Sequence, residues 1–308
     1  MMKKMVLWLM VAGLMGSAGV AYAVDPPAGM LLWFKADTEV IESGGVVQEW
    51  WDQSGNFNDA IRQVGTMQLT TATFPIGDLP VIRFKRDGFF KLTDWEATFI
   101  PDLTIYAVVE QTGAGERRSY FSTYSNYVNW GYGYHCDFEG GNTRVFTSAG
   151  TSATSSDWVI SAPALPNGYH YMTVAISGTA GSKSIYTEGV LRGTTTVPGI
   201  SFHASSGCSI GTLGSLPMSV FYFRGGIAEI IVYPSVDSAQ KNAVELYLSE
   251  KYGLETPPEV CGDWGYYAYD FNHNCYVDFS DLATFAASWL TCTLPDEAGG
   301  VDCVDLVP

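Results

Sequence analysis

The feature that most constrains the fold is a long series of short strand-like runs between Met30 and Pro234. β-Branched and aromatic residues fill these runs, and Gly, Asn, Asp or Pro separates them. This is the pattern of β-strands joined by turns. The clearest runs cover residues 31–37, 80–85, 103–111, 169–177, 184–193, 208–214 and 225–234. So much strand and so little helix over about 230 residues predict an all-β antiparallel sandwich.

Two local signals add detail to this sandwich. Glu188 and Gly189 have the residue types of a two-residue hairpin turn. One convincing helix follows the last run, over SVDSAQKNAVELYLSEKYG. We expect Ser235 to be its N-cap, Asp237 to lie in its first turn and Gly253 to end it.

The first 23 residues have the composition of a secretory signal peptide. Lys3 and Lys4 precede an apolar run, and Ala21 and Ala23 form an A-x-A cleavage site. The alternative is an uncleaved membrane anchor, but the run is short and contains glycines. We therefore expect cleavage after Ala23 and a secreted or cell-surface protein that is not an integral membrane protein.

The charge balance disfavours two classes of partner. The whole chain has a formal net charge of −16. Without Lys3 and Lys4 there are 14 basic and 32 acidic residues, which gives 14 − 32 = −18. Nucleic acids and anionic membranes are therefore not expected partners.

The cysteines predict disulfides. The chain has six, at positions 136, 208, 261, 275, 292 and 303, and no C-x-x-C pair that would indicate zinc. In an exported chain, disulfides are the expected state. The four in the last fifty residues are the main candidates, and their three possible pairings stay open: Cys261, Cys275, Cys292 and Cys303.

The stretch DFNHNCYVDFSD, residues 270–281, has the spacing of a calcium loop. Oxygen-bearing side chains occupy positions one, three, five, nine and twelve, as in a helix-flanking calcium loop. The sixth position is Cys275 where such loops have Gly. The alternative is an Asx-rich turn that caps the following helix.

Several motifs resemble a known family in their order along the chain. LLWFKAD, WWDQSGNFNDA, LPVIRFK, DLTIYAVVE and GGIAEIIVYPSVDSAQKNAVELYLSEKYGL resemble the bacterial secreted laminin-G-like domains of the concanavalin A-like lectin and glucanase superfamily. The resemblance implies a jelly-roll sandwich of two antiparallel sheets over residues 24–255, with one C-terminal helix. It also implies extracellular recognition, often of glycans.

The C-terminal segment is similar to a different family, the dockerin-like calcium repeats. Residues 256–258 would be the linker and residues 259–308 the calcium-binding tail, with one repeat where a dockerin has two. The similarity implies Ca²⁺ as the bound ion and a docking protein as a possible partner. The implied ligands are Asp270, Asn272, Asn274, Asp278 and Asp281 through side chains and Tyr276 through its carbonyl oxygen.

Catalytic signatures are not found in the sequence. Glucanases of this fold carry E-x-D-x-x-E, which is missing here. The string GCSIG around Ser209 matches a nucleophile elbow, but TLGSLP follows it, and this is not the helix that an elbow requires. We expect Ser209 to be a strand residue, and we expect no enzyme activity.

An aromatic run gives the candidate glycan contacts. Residues 120–142 combine six Tyr or Trp residues with Asn, Asp and Gly, and sugar rings stack on aromatic rings while polar neighbours bind their hydroxyls. The candidate contacts are Trp130, Tyr132 and Asp137. The alternative is that these aromatic residues pack within the sandwich.

The stretch WWDQSGNFNDA, residues 50–60, has two interpretations. It could be a second cation loop or a polar turn, and its Asp, Ser, Gly and Asn residues favour the turn. Either Trp50 or Trp51 would then belong to the core.

Taken together, these signals favour a secreted, non-catalytic recognition protein that binds a glycan or a cell-surface ligand. The first alternative is a glycoside hydrolase or another polysaccharide-active enzyme. The second is a structural envelope adhesin that binds protein. Glycan binding that is lost in Trp130→Ala, without turnover of a polysaccharide, would support the first hypothesis. Turnover would support the enzyme, and retention on cell envelopes with neither signal would point to an adhesin.

Overall fold

The computed structural model describes residues 25–92, 102–112, 118–123, 133–139, 142–148, 158–160, 167–196, 208–212, 221–255 and 257, together with Phe279, Asp281, Leu282 and Phe285. The strands are β1 (Leu32–Lys35), β2 (Val40–Ser43), β3 (Val46–Trp50), β4 (Ala60–Val64), β5 (Gln68–Phe74), β6 (Gly77–Lys85), β7 (Phe89–Leu92), β8 (Asp102–Gln111), β9 (Arg118–Ser122), β10 (Gly133–Glu139), β11 (Asn142–Ser148), β12 (Trp158–Ile160), β13 (His170–Ser177), β14 (Ser182–Thr187), β15 (Val190–Thr196), β16 (Ser209–Ile210) and β17 (Arg224–Tyr233). The helix α1 (Ser238–Tyr252) follows them.

The strands form two antiparallel sheets. Sheet A has the order β15-β14-β13-β8-β17-β6-β5, and β1 also pairs with β17. Sheet B has the order β12-β11-β10-β9-β16-β7-β4-β3-β2. Three of the eight neighbouring pairs in sheet B, β9–β16, β16–β7 and β7–β4, join strands that are not consecutive in the chain, as in a jelly roll. The predicted all-β sandwich of two antiparallel sheets with one helix is confirmed.

The main core lies between the two sheets. Alternate residues of facing strands supply it, among them Phe34, Phe84, Ile105, Val174 and Ile230 from sheet A and Val47, Trp50, Phe90, Phe121 and Ile210 from sheet B. Trp50 joins the two sheets. Its ring lies 5.3 Å from that of Phe34 in β1 and 6.4 Å from that of Phe90 in β7.

A second core lies on the outer face of sheet A, beneath α1. The helix buries Val244, Tyr247, Leu248 and Tyr252 against residues that include Val81, Tyr106, Val108, Tyr171, Ala228, Ile231 and Tyr233. The helix therefore covers the central strands of this outer face, whereas Leu191 of the edge strand β15 stays exposed.

The ends of α1 follow ordinary capping chemistry, with one correction to the sequence analysis. The N-cap is Asp237, whose side chain accepts a hydrogen bond from the backbone N–H of Gln240 at 2.6 Å. Ser235 is not the cap, and its hydroxyl instead donates to Gln240 Oε1. Gly253 ends the helix as predicted, because it adopts the left-handed conformation at φ 62°.

The other predictions for this region have clear outcomes. Glu188 and Gly189 form the hairpin turn between β14 and β15, with φ of 50° and 73°. Trp50 is the core residue of its pair, and Trp51 is exposed.

The expectation of a disulfide is wrong for Cys208, which is free and buried in the core between the sheets. Burial there raises the pKa of its thiol well above the usual range.

Candidate functional site

Most of the predicted site residues lie outside the described residues. This holds for Trp130, Tyr132 and the signal peptide, for the four tail cysteines, and for the calcium-loop residues other than Asp281. Asp281 is buried and helical. Asp137 has a defined place in the sheet, where β10 pairs it with Ser119 of β9 and Arg144 of β11.

The register of sheet B aligns polar residues of distant strands in one line. From strand to strand, each residue of this line is the direct partner of the next. The residues are Glu49 in β3, Ile61 in β4, Lys91 in β7, Ser209 in β16 and Ser122 in β9. His135 of β10 continues the line at the backbone level, opposite Ser122. We call the first five residues the polar row.

The polar row lies on the outer face of sheet B. Trp50, Phe90, Ile210 and Phe121 belong to the core between the sheets. Successive side chains of a strand point to opposite faces, so Glu49, Lys91, Ser209 and Ser122, which adjoin these core residues, point away from the core. Side chains that are direct partners in an antiparallel pair lie close together, so the five side chains form one line, in which the apolar Ile61 separates Glu49 from Lys91.

The polar row becomes more buried towards β9. Glu49, Ile61 and Lys91 are half-buried, whereas Ser209 and Ser122 are fully buried. The Ser209 hydroxyl donates to the Thr212 carbonyl oxygen at 3.2 Å. The Thr212 hydroxyl is itself buried and has no hydrogen-bond partner among the described residues. The hydroxyl groups at this end of the row are therefore enclosed by the protein.

A rigid loop joins β3 to β4 at the other end of the row. The carboxylate of Asp52 accepts four hydrogen bonds, from the backbone N–H groups of Trp33, Ser54 and Asn58 and from the Ser54 hydroxyl. The backbone N–H of Asp52 donates to Asp59 at 2.9 Å. All four carboxylate bonds are made within the protein, so the loop is an Asx-type turn, as the sequence favoured.

This loop presents two aromatic side chains to solvent. Phe57 is 74% exposed and Trp51 is 38% exposed. Phe57 has φ of 59°, which is uncommon for a residue with a bulky side chain. The Trp51 indole N–H donates to Glu49 Oε2 at 2.8 Å, so the first residue of the polar row also orients this ring.

On sheet A, a buried ionic network joins β1, β17 and α1. Glu229 of β17 is fully buried and accepts hydrogen bonds from the Trp33 indole at 2.6 Å, the Tyr247 hydroxyl at 2.9 Å, and Lys251 and the Tyr252 hydroxyl at 2.8 Å each. Both carboxylate oxygens of Glu229 therefore accept hydrogen bonds, and a buried charged group requires such partners.

The charges of this network stabilise one another. Lys251 also lies 3.0 Å from Asp37. Burial disfavours the charged ammonium of Lys251, but the carboxylates of Glu229 and Asp37 outweigh it and raise the pKa. Burial likewise opposes ionisation of Asp37, yet the neighbouring Lys251 keeps the pKa of this carboxyl below its usual value. The network holds the helix on the sheet and offers no open position for a ligand.

A second buried carboxylate, Glu245, lies on the same helix. It accepts hydrogen bonds from the Thr173 hydroxyl at 2.6 Å and from Lys241 at 2.8 Å. Burial raises the pKa of Glu245, although both partners oppose the change. This residue also faces the core of sheet A rather than solvent.

The described residues also bear on three other predictions, which concern a catalytic serine, a metal site and a membrane-spanning helix. Ser209 is a buried residue of β16, which confirms the prediction that it is a strand residue. Within the part of the chain that the structure describes, no three His, Cys, Asp or Glu side chains are grouped to hold a metal ion. No helix formed by the described residues is long and apolar enough to cross a membrane.

A sequence profile for the concanavalin A-like lectin/glucanases superfamily matches residues 86–241 of the 308. The chain belongs to this superfamily. The match covers β7 to β17 and the start of α1, and it therefore includes Lys91, Ser122 and Ser209 of the polar row. No curated protein sequence matches the chain.

Solved structures share the fold of this superfamily at low sequence identity. A binding-domain structure of botulinum neurotoxin type C, whose uptake into cells depends on two ganglioside molecules, has a TM-score of 0.50 and 15% identity over 73% of this chain. This chain covers 52% of that toxin chain, or about half its length. Domain 4 of the arabinanase AbnA from Geobacillus stearothermophilus, in complex with arabinotriose, has a TM-score of 0.46 and 16% identity, over 67% of this chain and 92% of that one.

Sequence reasoning missed the polar row itself. Lys91 and Ser209 are far apart in the chain, and only the strand register makes them partners. One signal did point to the same region, because the aromatic run of residues 120–142 includes Ser122 and the residues paired with it in β10. Phe57 carried no signal of its own, since its exposure follows from the conformation of the loop.

Proposed function

We propose that this protein is a non-catalytic carbohydrate-recognition protein that binds a glycan on the outer face of sheet B. The polar row carries the proposal. It places a carboxylate, an ammonium and hydroxyl groups along one line of a sheet face, with the apolar Ile61 between Glu49 and Lys91, and this mixture suits a sugar, which has hydroxyl groups and apolar ring faces.

The contrast between the two outer faces supports the choice of sheet B. Among the described residues of the range 25–255, the only helix packs on sheet A and covers the central strands of its outer face. The row on sheet B keeps Glu49 and Lys91 half-exposed. A ligand that reaches the described sandwich through a sheet face would therefore meet sheet B.

Trp130, Tyr132 and Asp137 belong to the proposal as glycan contacts. Asp137 is two positions from His135 in β10, and His135 is the partner of Ser122 in the polar row. Trp130 and Tyr132 precede β10 in the sequence, and their rings would supply the stacking surface that sugars require. The toxin of similar fold interacts with gangliosides, which carry sugar headgroups, and this is compatible with the proposal.

The test is binding to immobilised and soluble polysaccharides, with a parallel assay for released sugar. We expect the wild-type protein to bind at least one polysaccharide without releasing sugar. Trp130→Ala and Asp137→Ala should each weaken binding, because each removes a stacking or hydrogen-bonding group. Asp78→Ala, an exposed carboxylate in β6 of sheet A, is the matched control and should bind like the wild type. Sugar release by the wild-type protein would contradict the non-catalytic proposal.

We also propose that residues 259–308 form a calcium-stabilised attachment module of a secreted protein, following the linker at residues 256–258. Hard oxygen donors at Asp270, Asn272, Asn274, Asp278 and Asp281 favour Ca²⁺, and the Tyr276 carbonyl would complete the set. Cys261, Cys275, Cys292 and Cys303 would stabilise so small a segment as disulfides.

Calorimetric titration with Ca²⁺ tests this module. We expect the full chain to bind Ca²⁺ and Asp270→Ala to lose that binding, whereas Asp137→Ala should retain it. Unchanged binding in Asp270→Ala would contradict the assignment of the ion to the tail.

A further inference from the structure

We infer that Trp51 and Phe57 form an aromatic subsite at the β3 end of the polar row, and that the ligand is an extended neutral polysaccharide and not a single terminal sugar. This inference rests on the proposed glycan-binding function and specifies its ligand class. Trp51 and Phe57 both belong to the part of the chain that the structure describes.

The polar row and the exposed Trp51 are continuous with each other. Glu49 is the first residue of the polar row, and its carboxylate accepts the hydrogen bond from the Trp51 indole. Trp50 points into the core, so the exposed Trp51 lies on the opposite side of the chain from it. The Trp51 ring therefore lies at the β3 end of the polar row.

The loop that carries the two rings is also rigid. Besides the four bonds to Asp52, the Asn56 side chain donates to the carbonyl oxygens of Met30 and Leu31 at 3.0 and 3.1 Å. The backbone N–H of Trp51 donates to the carbonyl oxygen of Glu39. An aromatic ring that is already fixed in place loses little conformational entropy when a ligand binds.

The backbone conformation at Phe57 also supports the inference. A bulky residue at positive φ is strained, and glycine would adopt the same conformation without strain. The side chain is 74% exposed, so it contributes little to the core. A strained residue that packs so little against the protein is better explained by a contact with a ligand.

The surroundings favour a sugar over a protein partner. Polar residues adjoin the two rings in the sequence, at Glu49, Ser54, Asn56 and Asn58. The direct partner of Glu49 in β2 is Ile41, which is 41% exposed and adds one apolar side chain next to them. A stable protein interface buries about 800 Å² on each partner, whereas one sugar ring needs a single aromatic face and nearby polar groups. The acidic chain, at a net charge of −16, favours a neutral glycan over an acidic one.

The geometry sets the length of the ligand. The exposed part of the polar row, from Glu49 in β3 to Lys91 in β7, crosses two strand spacings, which is about 10 Å at about 4.8 Å for each spacing, and Trp51 lies beyond its β3 end. A single sugar cannot contact both ends of such a line. An oligosaccharide of several units could.

The experiment measures the affinity for laminarin, xylan, arabinan and galactan and for the oligosaccharide series of whichever polysaccharide binds. For the wild type we expect affinity to rise with chain length until the row is filled. Trp51→Ala and Phe57→Gly should each weaken binding of the long oligosaccharides by about 3- to 10-fold, and should leave the shortest that bind unchanged.

Phe57→Gly separates a binding role from a structural one. Glycine accepts the positive φ, so the midpoint of denaturation should not fall, whereas a structural role for the ring would lower it. The matched control is Glu188→Gly, which makes the same backbone change in the hairpin of sheet A, where φ is 50°. This control should bind glycan like the wild type.

The outcomes distinguish the two proposals. If none of the four polysaccharides binds the wild type, the proposed function fails and this inference fails with it. If a polysaccharide binds but its affinity does not depend on chain length, or Trp51→Ala and Phe57→Gly bind the long oligosaccharides normally, the inference alone is overturned.

Discussion

The outer faces of the two sheets are built from similar strands but present opposite chemistry. Sheet A turns Val81, Val108 and Ile231 outward beneath a helix, and its carboxylate Glu229 is buried within a closed set of donors. Sheet B turns Glu49 and Lys91 outward, and they stay half-exposed. The helix and the buried charges of sheet A therefore stabilise the fold, whereas Glu49, Ile61 and Lys91 of sheet B keep part of their surface in solvent.

The largest difference between the faces should appear when the same lysine substitution is made on each. Lys251→Met removes the ammonium that neutralises Glu229 and leaves a fully buried charge without its cation. We expect a loss of about 3–5 kcal/mol in the free energy of unfolding. Lys91→Met on sheet B should change it by less than about 0.5 kcal/mol. Urea denaturation of both variants measures the difference, and equal losses would refute the division of roles.

A pair of tryptophan substitutions tests the same contrast between the two faces, with a smaller expected effect on the free energy of unfolding. Trp33 and Trp51 each donate an indole N–H to a glutamate, at 2.6 and 2.8 Å. Trp33→Phe leaves the buried Glu229 short of one donor, which should cost about 1–3 kcal/mol. Trp51→Phe removes an exposed bond, so its effect on stability should be close to zero. If Trp51→Phe proves as destabilising as Trp33→Phe, the exposed loop has a structural role.

The smallest expected effect is a pH dependence at Glu245. Its pKa is raised in the folded protein, so the folded state binds a proton there more readily than the unfolded state does. Relative to Glu245→Gln, the wild type should therefore gain stability as the pH falls from about 7 towards about 5, and should lose that gain as the pH rises again.

Denaturation curves of the wild type and Glu245→Gln at the two pH values provide the measurement. Asp37→Asn gives the opposite sign as a control, because the pKa of Asp37 is lowered and its contribution is lost as the pH falls further. A stability difference that does not vary with pH would show that Glu245 does not titrate in this range.

The elements that sequence predicted are those whose local composition already decides their structure. β8 and β17 are long runs of β-branched and aromatic residues, and Gly253 is the residue type that ends a helix. The strands that were missed include β2 and β5, which lie at sheet edges and are largely polar. Their structure comes from hydrogen bonds to distant partners, which local composition does not reveal.

The site was less predictable for the same physical reason. Asp52 was correctly placed in a turn, but the choice between Trp50 and Trp51 as the core residue depended on the phase of β3. The same local reading placed the helix N-cap at Ser235, two residues early, because Ser and Asp are both good caps. The partnership of Lys91 with Ser209 follows from register alone.

The pairing of β1 with β17 has a consequence for how the chain folds. Leu32 is the partner of Val232, so the first described strand is completed by the last, and β17 also separates β8 from β6 within sheet A. Sheet A therefore cannot close until nearly the whole domain has been synthesised. Contacts between residues so distant in sequence slow folding, typically to milliseconds or seconds. Until β17 has been synthesised, β1 remains an unpaired apolar segment. The chain is most prone to aggregation during this interval.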